Sequence, residues 1–350
     1  MTVTIRQLQR VQRLFASALC LLLCACSDPV SKVDAMFADY TGADRPGAAV
    51  LVIRDGERVL QKTYGVADIA TKTPITPATN FRLASISKQF TAMSILMLVD
   101  DGKLTLQSTL GDIYPTASAA VAPITIQQLL QHQSGLPDYE PLVPADGDQV
   151  HDGDVLALML VAEALDFEPG TAYHYSNSGY AVLAMIVERL SGESFAKFLE
   201  SNFFAPLGMT ATVAFEQGVS TVANRALGYT VTEDGVEFSD QSVWSAVLGD
   251  GGVYSSLDDL YTWDQALYED TLISPAMQAE MWTPALESYG YGWRIDTWQG
   301  QRRLHHSGST SGFRNHWQRF PDAGLTVIVL TNRAGPDVQP VAEAIADLYL

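Results

Sequence analysis

The sequence predicts an α+β fold in which strands from both ends of the chain form one sheet and a mainly helical domain lies between them. Small and β-branched residues around a turn signal predict a hairpin near position 50, and four short segments with β character follow position 291. Between these regions, apolar residues recur at helical spacing. The chain has 350 residues, of which 47% are hydrophobic and 17% charged, so it can bury one large hydrophobic core or two smaller ones.

The first of four predicted parts, residues 1–25, is a signal peptide. Residues 26–105 then hold the first part of the sheet domain with its central helix, 106–270 the helical domain, and 271–350 the second part of the sheet domain. We see no internal repeat that would divide the chain differently.

The N-terminus has the pattern of a secretory signal peptide, because three arginines precede an apolar run over residues 14–25. The run is too short for a permanent transmembrane helix. It ends in Leu23-Cys24-Ala25-Cys26, which resembles a bacterial lipobox, so Cys26 is expected to become the lipidated first residue of the mature chain. An ordinary signal peptide with an incidental cysteine is the alternative. We therefore expect a lipid-anchored protein of the bacterial cell envelope, in the outer membrane and facing the periplasm.

The individual elements follow from periodicity and turn signals. Segments 47–56 and 58–65 flank Asp55-Gly56 and predict the hairpin. The run from Ser85 to Val99 is apolar on nearly every side, which predicts a helix at the centre of a domain. The other predicted helices span 30–40, 181–190, 195–204 and 337–350, and the other predicted strands span 292–298, 302–306, 313–320 and 325–331.

Charge and cysteine usage exclude several functions. Lys and Arg number 21 against 40 Asp and Glu, a formal net charge of -19 that would repel nucleic acid. The three cysteines, at positions 20, 24 and 26, leave the rest of the chain without a thiol for disulfides, metal sites or nucleophilic catalysis. No pair of the six histidines has the His-x-x-x-His spacing of a zinc helix. We therefore expect no metal and no nucleic-acid partner.

Ser85-Ile86-Ser87-Lys88 places a hydroxyl and an amine one helical turn apart on the same face. A serine nucleophile with a lysine base needs this arrangement. Ser85 also starts the helix, where unpaired backbone N–H groups can stabilise an oxyanion. A second match, Ser194 to Lys197, opens an amphipathic helix that is expected to leave Lys197 in solvent.

Further motifs follow in order along the chain. The first, His-Gln-Ser-Gly-Leu-Pro at residues 132–137, is a helix end that runs into a turn. The second is Tyr175-Ser176-Asn177, just before an apolar helix. The third is His306-Ser307-Gly308-Ser309, at the end of a predicted strand. Other interpretations exist for single residues. Tyr175 can be a core tyrosine and Asn177 a helix cap.

Three less specific features have plain structural interpretations. Of His305 and His306, one is expected to face out of the strand and one in. His132 is expected to form a cap or a hydrogen bond. The stretch 250–252 reads as a turn before a helix capped by Ser255 or Ser256.

These ordered motifs resemble the serine β-lactamase-like superfamily, in the branch shared by class C β-lactamases, D-Ala-D-Ala carboxypeptidases, D-aminopeptidases and related esterases. The resemblance runs from about residue 30 to 335 and includes the framing stretches 81–84, 132–137 and 289–293. It implies a β-lactamase/transpeptidase-like fold with a mostly antiparallel sheet flanked by helices. It also implies acyl transfer to water without a metal or cofactor.

The resemblance assigns a role to each matching residue. Ser85 attacks the carbonyl, Lys88 takes its proton, and Tyr175 passes protons to the leaving group and activates the deacylating water. The backbone N–H groups of Ser85 and Ser309 form the oxyanion hole, and Asn177 holds the substrate amide. The residues that it assigns to substrate binding are Asn177, His306, Ser307, Gly308 and Ser309.

The expected function is therefore that of a serine hydrolase that cleaves an amide or ester through an acyl-Ser85 intermediate. Most β-lactamases carry Lys where this chain has His306, so a peptidase or esterase acting on small or D-amino-acid substrates ranks above an efficient β-lactamase. The alternative is a penicillin- or cell-wall-peptide-binding lipoprotein without efficient turnover. The expected partners are a small-molecule or peptide substrate and the membrane, reached through Cys26.

Overall fold

Strands from both ends of the chain form one antiparallel sheet in the computed structural model, which describes residues 28–350. In chain order the strands are β1 (Ala48–Arg54), β2 (Glu57–Tyr64), β3 (Val66–Asp68), β4 (Thr73–Pro74), β5 (Phe81–Arg82), β6 (Val213–Ala214), β7 (Tyr229–Thr232), β8 (Gly235–Phe238), β9 (Val253–Ser255), β10 (Arg294–Trp298), β11 (Gln301–Thr310), β12 (Phe313–Phe320) and β13 (Leu325–Thr331). The six-stranded sheet has the order β10-β11-β12-β13-β1-β2, and every neighbouring pair is antiparallel. The predicted α+β class is confirmed.

Strands β13 and β1 are neighbouring inner strands of this sheet and pair with Val50 opposite Val329. Every residue of β13 is buried, and so are the first six residues of β1. A strand covered on both faces needs apolar side chains on both faces, so its sequence loses the usual alternation. The largely apolar runs AAVLVIR and LTVIVLT therefore mark two inner strands of the sheet.

The predicted hairpin is confirmed as β1 and β2, joined by Asp55 and Gly56. Both turn residues have positive φ, 51° at Asp55 and 80° at Gly56. A two-residue turn of this kind matches the right-handed twist of the strands that it joins.

The helices lie mostly between the two groups of sheet strands. The described helices are α1 (Pro29–Met36), α2 (Lys88–Asp100), α3 (Leu110–Ile113), α4 (Ile126–Leu130), α5 (Asp152–Leu160), α6 (Asn177–Ser191), α7 (Phe195–Leu199), α8 (Ala205–Leu207), α9 (Leu248–Gly251), α10 (Leu257–Ala266), α11 (Pro275–Met281) and α12 (Gln339–Tyr349). A 3₁₀ turn, Ala84–Ser87, leads directly into α2, and 10 of the 13 residues of α2 are buried. The prediction of a central helix from its all-round apolar sequence is confirmed.

The region predicted as mainly helical also contains short strands. Strands β6 to β9 lie in it, and β9 pairs with both β5 and β6 in a small sheet. These strands have two to four residues, which is too short to show a period of two in the sequence. The domain boundaries at residues 106 and 271 stay predictions.

The described residues divide into two units, 28–38 and 39–350. Helix α1 begins after Asp28, whose side chain accepts the N–H of Ser31 at 3.0 Å, and it ends at Met36 rather than at the predicted residue 40. The predicted signal peptide, residues 1–25, and Cys26 lie outside the described residues. Between residues 28 and 350, no helix is both long and apolar enough to cross a membrane.

Candidate active site

Ser85 lies in the 3₁₀ turn before α2 and is the one residue of segment 81–90 that is not fully buried. The preceding Ala84 has a φ of 51°, in the left-handed region that residues with a Cβ rarely adopt. Conformations of this kind persist where the surroundings hold them and are common at functional sites. The turn therefore presents the Ser85 hydroxyl to the cleft while its neighbours face the core.

Lys88 is fully buried, and its ammonium group has three partners. Nζ donates to Ser85 Oγ at 3.2 Å, to Asn177 Oδ1 at 2.8 Å and to the backbone oxygen of Asp250 at 2.8 Å. An ammonium group has three N–H bonds, whereas a neutral amine has two N–H bonds and a lone pair. The neutral amine can keep its bonds to Asn177 and Asp250 and direct the lone pair at the Ser85 hydroxyl. The arrangement therefore suits proton transfer from Ser85 to Lys88.

Tyr175 lies beside this lysine, with Lys88 Nζ 4.9 Å from the centre of its ring. The Tyr175 hydroxyl is buried and has no hydrogen-bond partner among residues 28–350. An unpaired buried hydroxyl is costly in a packed core, where tyrosine hydroxyls are usually bonded. The unpaired hydroxyl is unusual for a core tyrosine, and the proton-transfer role of Tyr175 stays a prediction.

Asn177 is the first residue of α6 and bridges two charged groups. Its Oδ1 accepts from Lys88, and its Nδ2 donates to Glu140 Oε1 at 3.0 Å. The helix is capped by Ser176 instead, whose hydroxyl accepts the N–H of Gly179 at 3.1 Å. The interpretation of Asn177 as a mere cap is therefore wrong.

Asp250, which the sequence did not indicate as a site residue, lies in α9 and supplies a backbone acceptor to Lys88. Its carboxylate accepts the Tyr139 hydroxyl at 2.9 Å, and burial raises the pKa of Asp250 to about 6. Asp152 holds the start of α9 in place, because its two oxygens accept the N–H groups of Leu248 and Gly249. Burial also raises the pKa of Asp152 to about 7.

The turn predicted at residues 250–252 is therefore part of the candidate site, although the motif gave no sign of it. The helix that follows is capped by Ser256, one of the two predicted residues, and its hydroxyl accepts the N–H of Asp259 at 3.2 Å.

Glu140 was also missed, and it brings a carboxylate to the cleft around Ser85. It is half-buried, and burial followed by the nearby charge of Asp138 raises its pKa. The signal available in the sequence is its place three residues after Pro137 of the predicted turn motif. Residues lining the same cleft include Tyr139, Glu140, Asn177, Trp244, Asp250 and Ser309.

His306 lies in β11 behind Tyr175, with ring centres 6.1 Å apart, and it is buried. Its Nε2 is 2.9 Å from the Tyr289 hydroxyl, and its Nδ1 is 2.7 Å from the Ser307 carbonyl. Because a carbonyl only accepts, Nδ1 carries the proton and Nε2 accepts from Tyr289. Burial and then the charge of Lys88 hold the pKa of His306 well below its usual value, so the ring is neutral.

The prediction that one of His305 and His306 faces out is wrong, because both are buried. His305 does point to the opposite face of β11, but α12 covers that face. Gln318 Nε2, on β12, donates to the Ala342 carbonyl of α12 at 2.6 Å. The prediction that His305 and His306 point to opposite faces of the strand was correct. That a helix covers the outer face could not be inferred from the alternation.

The rest of the motif divides between the two faces of β11. A Cβ on Gly308 would lie 2.0 Å from the Leu83 carbonyl, so only glycine allows β11 to approach the Ser85 turn this closely. Ser309 reaches the cleft with Ser85. The Ser307 hydroxyl instead lies 3.0 Å from His316 Nδ1 on the face away from the cleft, so a contact between Ser307 and substrate would have to come from its backbone.

The second serine-lysine pair has a structural explanation. The Ser194 hydroxyl accepts the N–H of Lys197 at 3.2 Å and caps α7. Lys197 itself is exposed, as expected. This pair therefore stabilises the start of a helix, and it lies outside the cleft.

Known proteins resemble this chain in sequence and in fold. The family profile described as Beta-lactamase matches residues 33–350. Penicillin-binding protein 4* of Bacillus subtilis (strain 168) is 33% identical over 306 residues, which cover 81% of this chain and 67% of that protein. A D-aminopeptidase of Gluconobacter oxydans (strain 621H) is 29% identical over 311 residues, 86% of this chain and 58% of that protein. The octameric penicillin-binding protein homologue from Pyrococcus abyssi superposes with a TM-score of 0.81 at 25% identity, over 91% of this chain and 77% of that one.

Proposed function

This chain belongs to the beta-lactamase family, and we propose that it is a serine hydrolase that cleaves an amide or ester through an acyl-enzyme on Ser85. Its fold is that of the β-lactamases and transpeptidases. The observation that carries the proposal is the position of Lys88 Nζ, which contacts both Ser85 Oγ and Asn177 Oδ1 in a buried environment.

The proposed reaction has two steps. Ser85 Oγ bonds to the carbonyl carbon while its proton passes to Lys88 Nζ, and the bond from that carbon to the leaving nitrogen or oxygen breaks. The leaving group takes a proton through the Tyr175 hydroxyl. A water molecule then attacks the acyl-Ser85 ester, which releases the acid and returns the proton to Ser85. The backbone N–H groups of Ser85 and Ser309 stabilise the oxyanion in both steps.

We propose amides of small D-amino acids with a free amino group as the preferred substrates. Glu140 places a carboxylate beside Asn177, and a substrate ammonium group is its natural partner. His306 is neutral and bonded on both nitrogens, so it lacks the permanent charge with which a lysine binds the carboxylate of a β-lactam. The relative from Gluconobacter oxydans is named a D-aminopeptidase, which agrees with this choice.

The proposal can be tested with the purified protein, a chromogenic cephalosporin, D-alanine p-nitroanilide and p-nitrophenyl acetate. Multiple turnovers of the anilide or the ester, with a transient acyl mass on Ser85, would support it. A stable cephalosporin adduct without turnover of any substrate would favour the alternative, a penicillin-binding protein that does not turn over. If the protein shows neither turnover nor an adduct, both the hydrolase and the binding-protein interpretations are contradicted. The intact set of Ser85, Lys88 and Tyr175 supports turnover, because a pure binding protein needs no base.

Replacing Glu140 by glutamine tests the substrate class. We expect E140Q to lower kcat/KM for D-alanine p-nitroanilide by about 10- to 100-fold, because the substrate ammonium group loses its charged partner. Hydrolysis of p-nitrophenyl acetate, which has no amino group, should change by less than about threefold. The glutamine oxygen can still accept from Asn177, so the rest of the site is kept. The measurement is steady-state kinetics on both substrates.

The matched control for this substitution is E237Q, which removes an exposed carboxylate on β8. It should leave the kinetics of both substrates unchanged. Equal losses of anilide and ester hydrolysis in E140Q would mean that Glu140 supports the catalytic residues and does not select the substrate.

We also propose that the chain is a lipoprotein of the bacterial envelope, anchored through Cys26 in the outer membrane and facing the periplasm. The support is the sequence of residues 1–27 alone, where an arginine-rich start, an apolar run and the lipobox-like Leu23-Cys24-Ala25-Cys26 follow each other. Such an anchor would hold the hydrolase close to cell-wall peptides.

Replacing Cys26 by serine tests the anchor. When the full chain is expressed in a diderm bacterium, we expect it in the membrane fraction, and C26S in the soluble fraction or uncleaved, because serine cannot form the lipid thioether. Fractionation and mass spectrometry of the N-terminal peptide measure the effect. C24S is the control and should remain lipidated. Loss of the lipid in C24S with its retention in C26S would mean that Cys24, and not Cys26, carries the lipid.

A further inference from the structure

His132 lies behind the candidate catalytic residues and is almost completely buried. It follows α4 and has a φ of 57°, in the left-handed region. Its ring centre is 4.3 Å from that of Tyr175, and the rings of Tyr180 and Tyr289 enclose it at 5.1 Å and 4.5 Å. The side chain is thus in direct contact with the back of the Tyr175 ring.

Two hydrogen bonds attach His132 to the backbone on either side of Tyr175. The carbonyl of His132 accepts the N–H of His174 at 3.0 Å, and its Nδ1 accepts the N–H of Ser176 at 3.0 Å. Ser176 caps α6, whose first residue is Asn177. One residue therefore fixes the backbone that carries both Tyr175 and Asn177.

The bond from Ser176 sets the protonation of the ring. A backbone N–H only donates, so Nδ1 is unprotonated and the ring proton is on Nε2. Burial and then the charge of Lys88 hold the pKa of His132 well below its usual value, which agrees with a neutral ring. The expectation that His132 forms a hydrogen bond is confirmed.

The second ring nitrogen shows that packing alone does not explain this histidine. His132 Nε2 is buried and has no hydrogen-bond partner within residues 28–350. An unpaired buried N–H lowers stability, and an apolar side chain would fill the same space without that cost. The hydrogen-bond acceptor at Nδ1 is therefore the feature that explains a histidine at this position.

We propose that His132 is a positioning residue that fixes Tyr175 and Asn177 relative to Ser85 through the N–H of Ser176. It contacts neither the substrate nor the reacting atoms. The inference rests on the proposed hydrolase function, since it assigns His132 to the alignment of that reaction. A displacement of about 1 Å in such groups costs roughly 100-fold in rate.

Substitutions at position 132 can separate the acceptor from the packing. Asparagine places Oδ1 the same number of bonds from the backbone as Nδ1 and tolerates a positive φ. Leucine fills the space but accepts no hydrogen bond. We expect H132L to lower kcat for p-nitrophenyl acetate about 100-fold with KM changed less than about threefold, and H132N to recover kcat to within about fivefold of the original protein.

The control is H174N, at an exposed histidine next to Tyr175, and it should keep full activity. Equal loss in H132N and H132L, with both folded by circular dichroism, would overturn the proposal, and so would full activity in H132L. Failure of the original protein to form any acyl-enzyme would instead count against the proposed function and is measured separately by mass.

A measurement on the original protein covers the case in which the variants do not fold. The ¹⁵N chemical shifts of the His132 ring should show an unprotonated, hydrogen-bonded Nδ1 and a protonated Nε2 from pH 8 down to pH 5. A proton on Nδ1 would break the bond to Ser176 and overturn the proposal.

Discussion

Replacing Ser85 by alanine should abolish acylation and lower kcat for every substrate by about 10⁵- to 10⁶-fold, because the nucleophilic oxygen is lost. The fold should be kept, since Ser85 is partly exposed and donates no bond on which the 3₁₀ turn depends. The intact mass after mixing with D-alanine p-nitroanilide or a cephalosporin reports acylation directly, and release of p-nitroaniline reports turnover.

The chain supplies its own control in Ser194, which has the same spacing to a lysine. S194A should acylate and turn over normally and lose about 1 kcal/mol of stability, because it removes the hydroxyl that caps α7. The two variants therefore separate catalysis from stability. Loss of acylation in S194A with an active S85A would mean that the nucleophile is on α7.

The part of the site that the sequence predicted best is the part that is local. Ser85 and Lys88 are three residues apart, and one turn of helix brings any such pair together. Tyr175 and Asn177 lie about 90 positions further along the chain, and only the resemblance to a known family connected them to Ser85. Their contact with Lys88 depends on how α6 packs on α2, which no local pattern encodes.

Asp250 and Glu140 were missed for two different physical reasons. Asp250 contributes its backbone carbonyl to Lys88, and every residue has that group, so residue type carries no signal. Glu140 contributes its carboxylate, but it lies in a single 3₁₀ turn, Glu140–Leu142, which is too short to show a period that would indicate which way a side chain points.

The sheet could be predicted in part because two of its inner strands, β1 and β13, are buried on both faces and have largely apolar sequences. The error at His305 shows the limit of that approach. Alternation correctly separated the two faces of β11, but whether the outer face meets water depends on where α12 packs, and α12 lies more than 30 residues further along the chain.

Replacing Lys88 by methionine is expected to lower the acylation rate by about 10³- to 10⁴-fold, because no group remains to take the Ser85 proton. K88R is the decisive companion, since arginine keeps the charge but cannot accept a proton near neutral pH. Stopped-flow measurement of the p-nitrophenol burst gives the acylation rate for each variant. K197M, which removes an exposed lysine from the other serine-lysine pair, should acylate normally.

K88M should change the free energy of unfolding only slightly. Methionine leaves the acceptors on Asn177 and Asp250 unpaired, at a cost of about 1–3 kcal/mol each. It also removes a buried ammonium group, whose desolvation costs several kcal/mol. These two effects oppose each other and are of similar size, so urea unfolding should show K88M within about 2 kcal/mol of the original protein. Such a result would mean that the loss of acylation is a loss of chemistry and not of the fold. Rapid acylation by K88R would instead assign the proton to Tyr175, whose ring lies beside Lys88 and whose hydroxyl has no hydrogen-bond partner within residues 28–350.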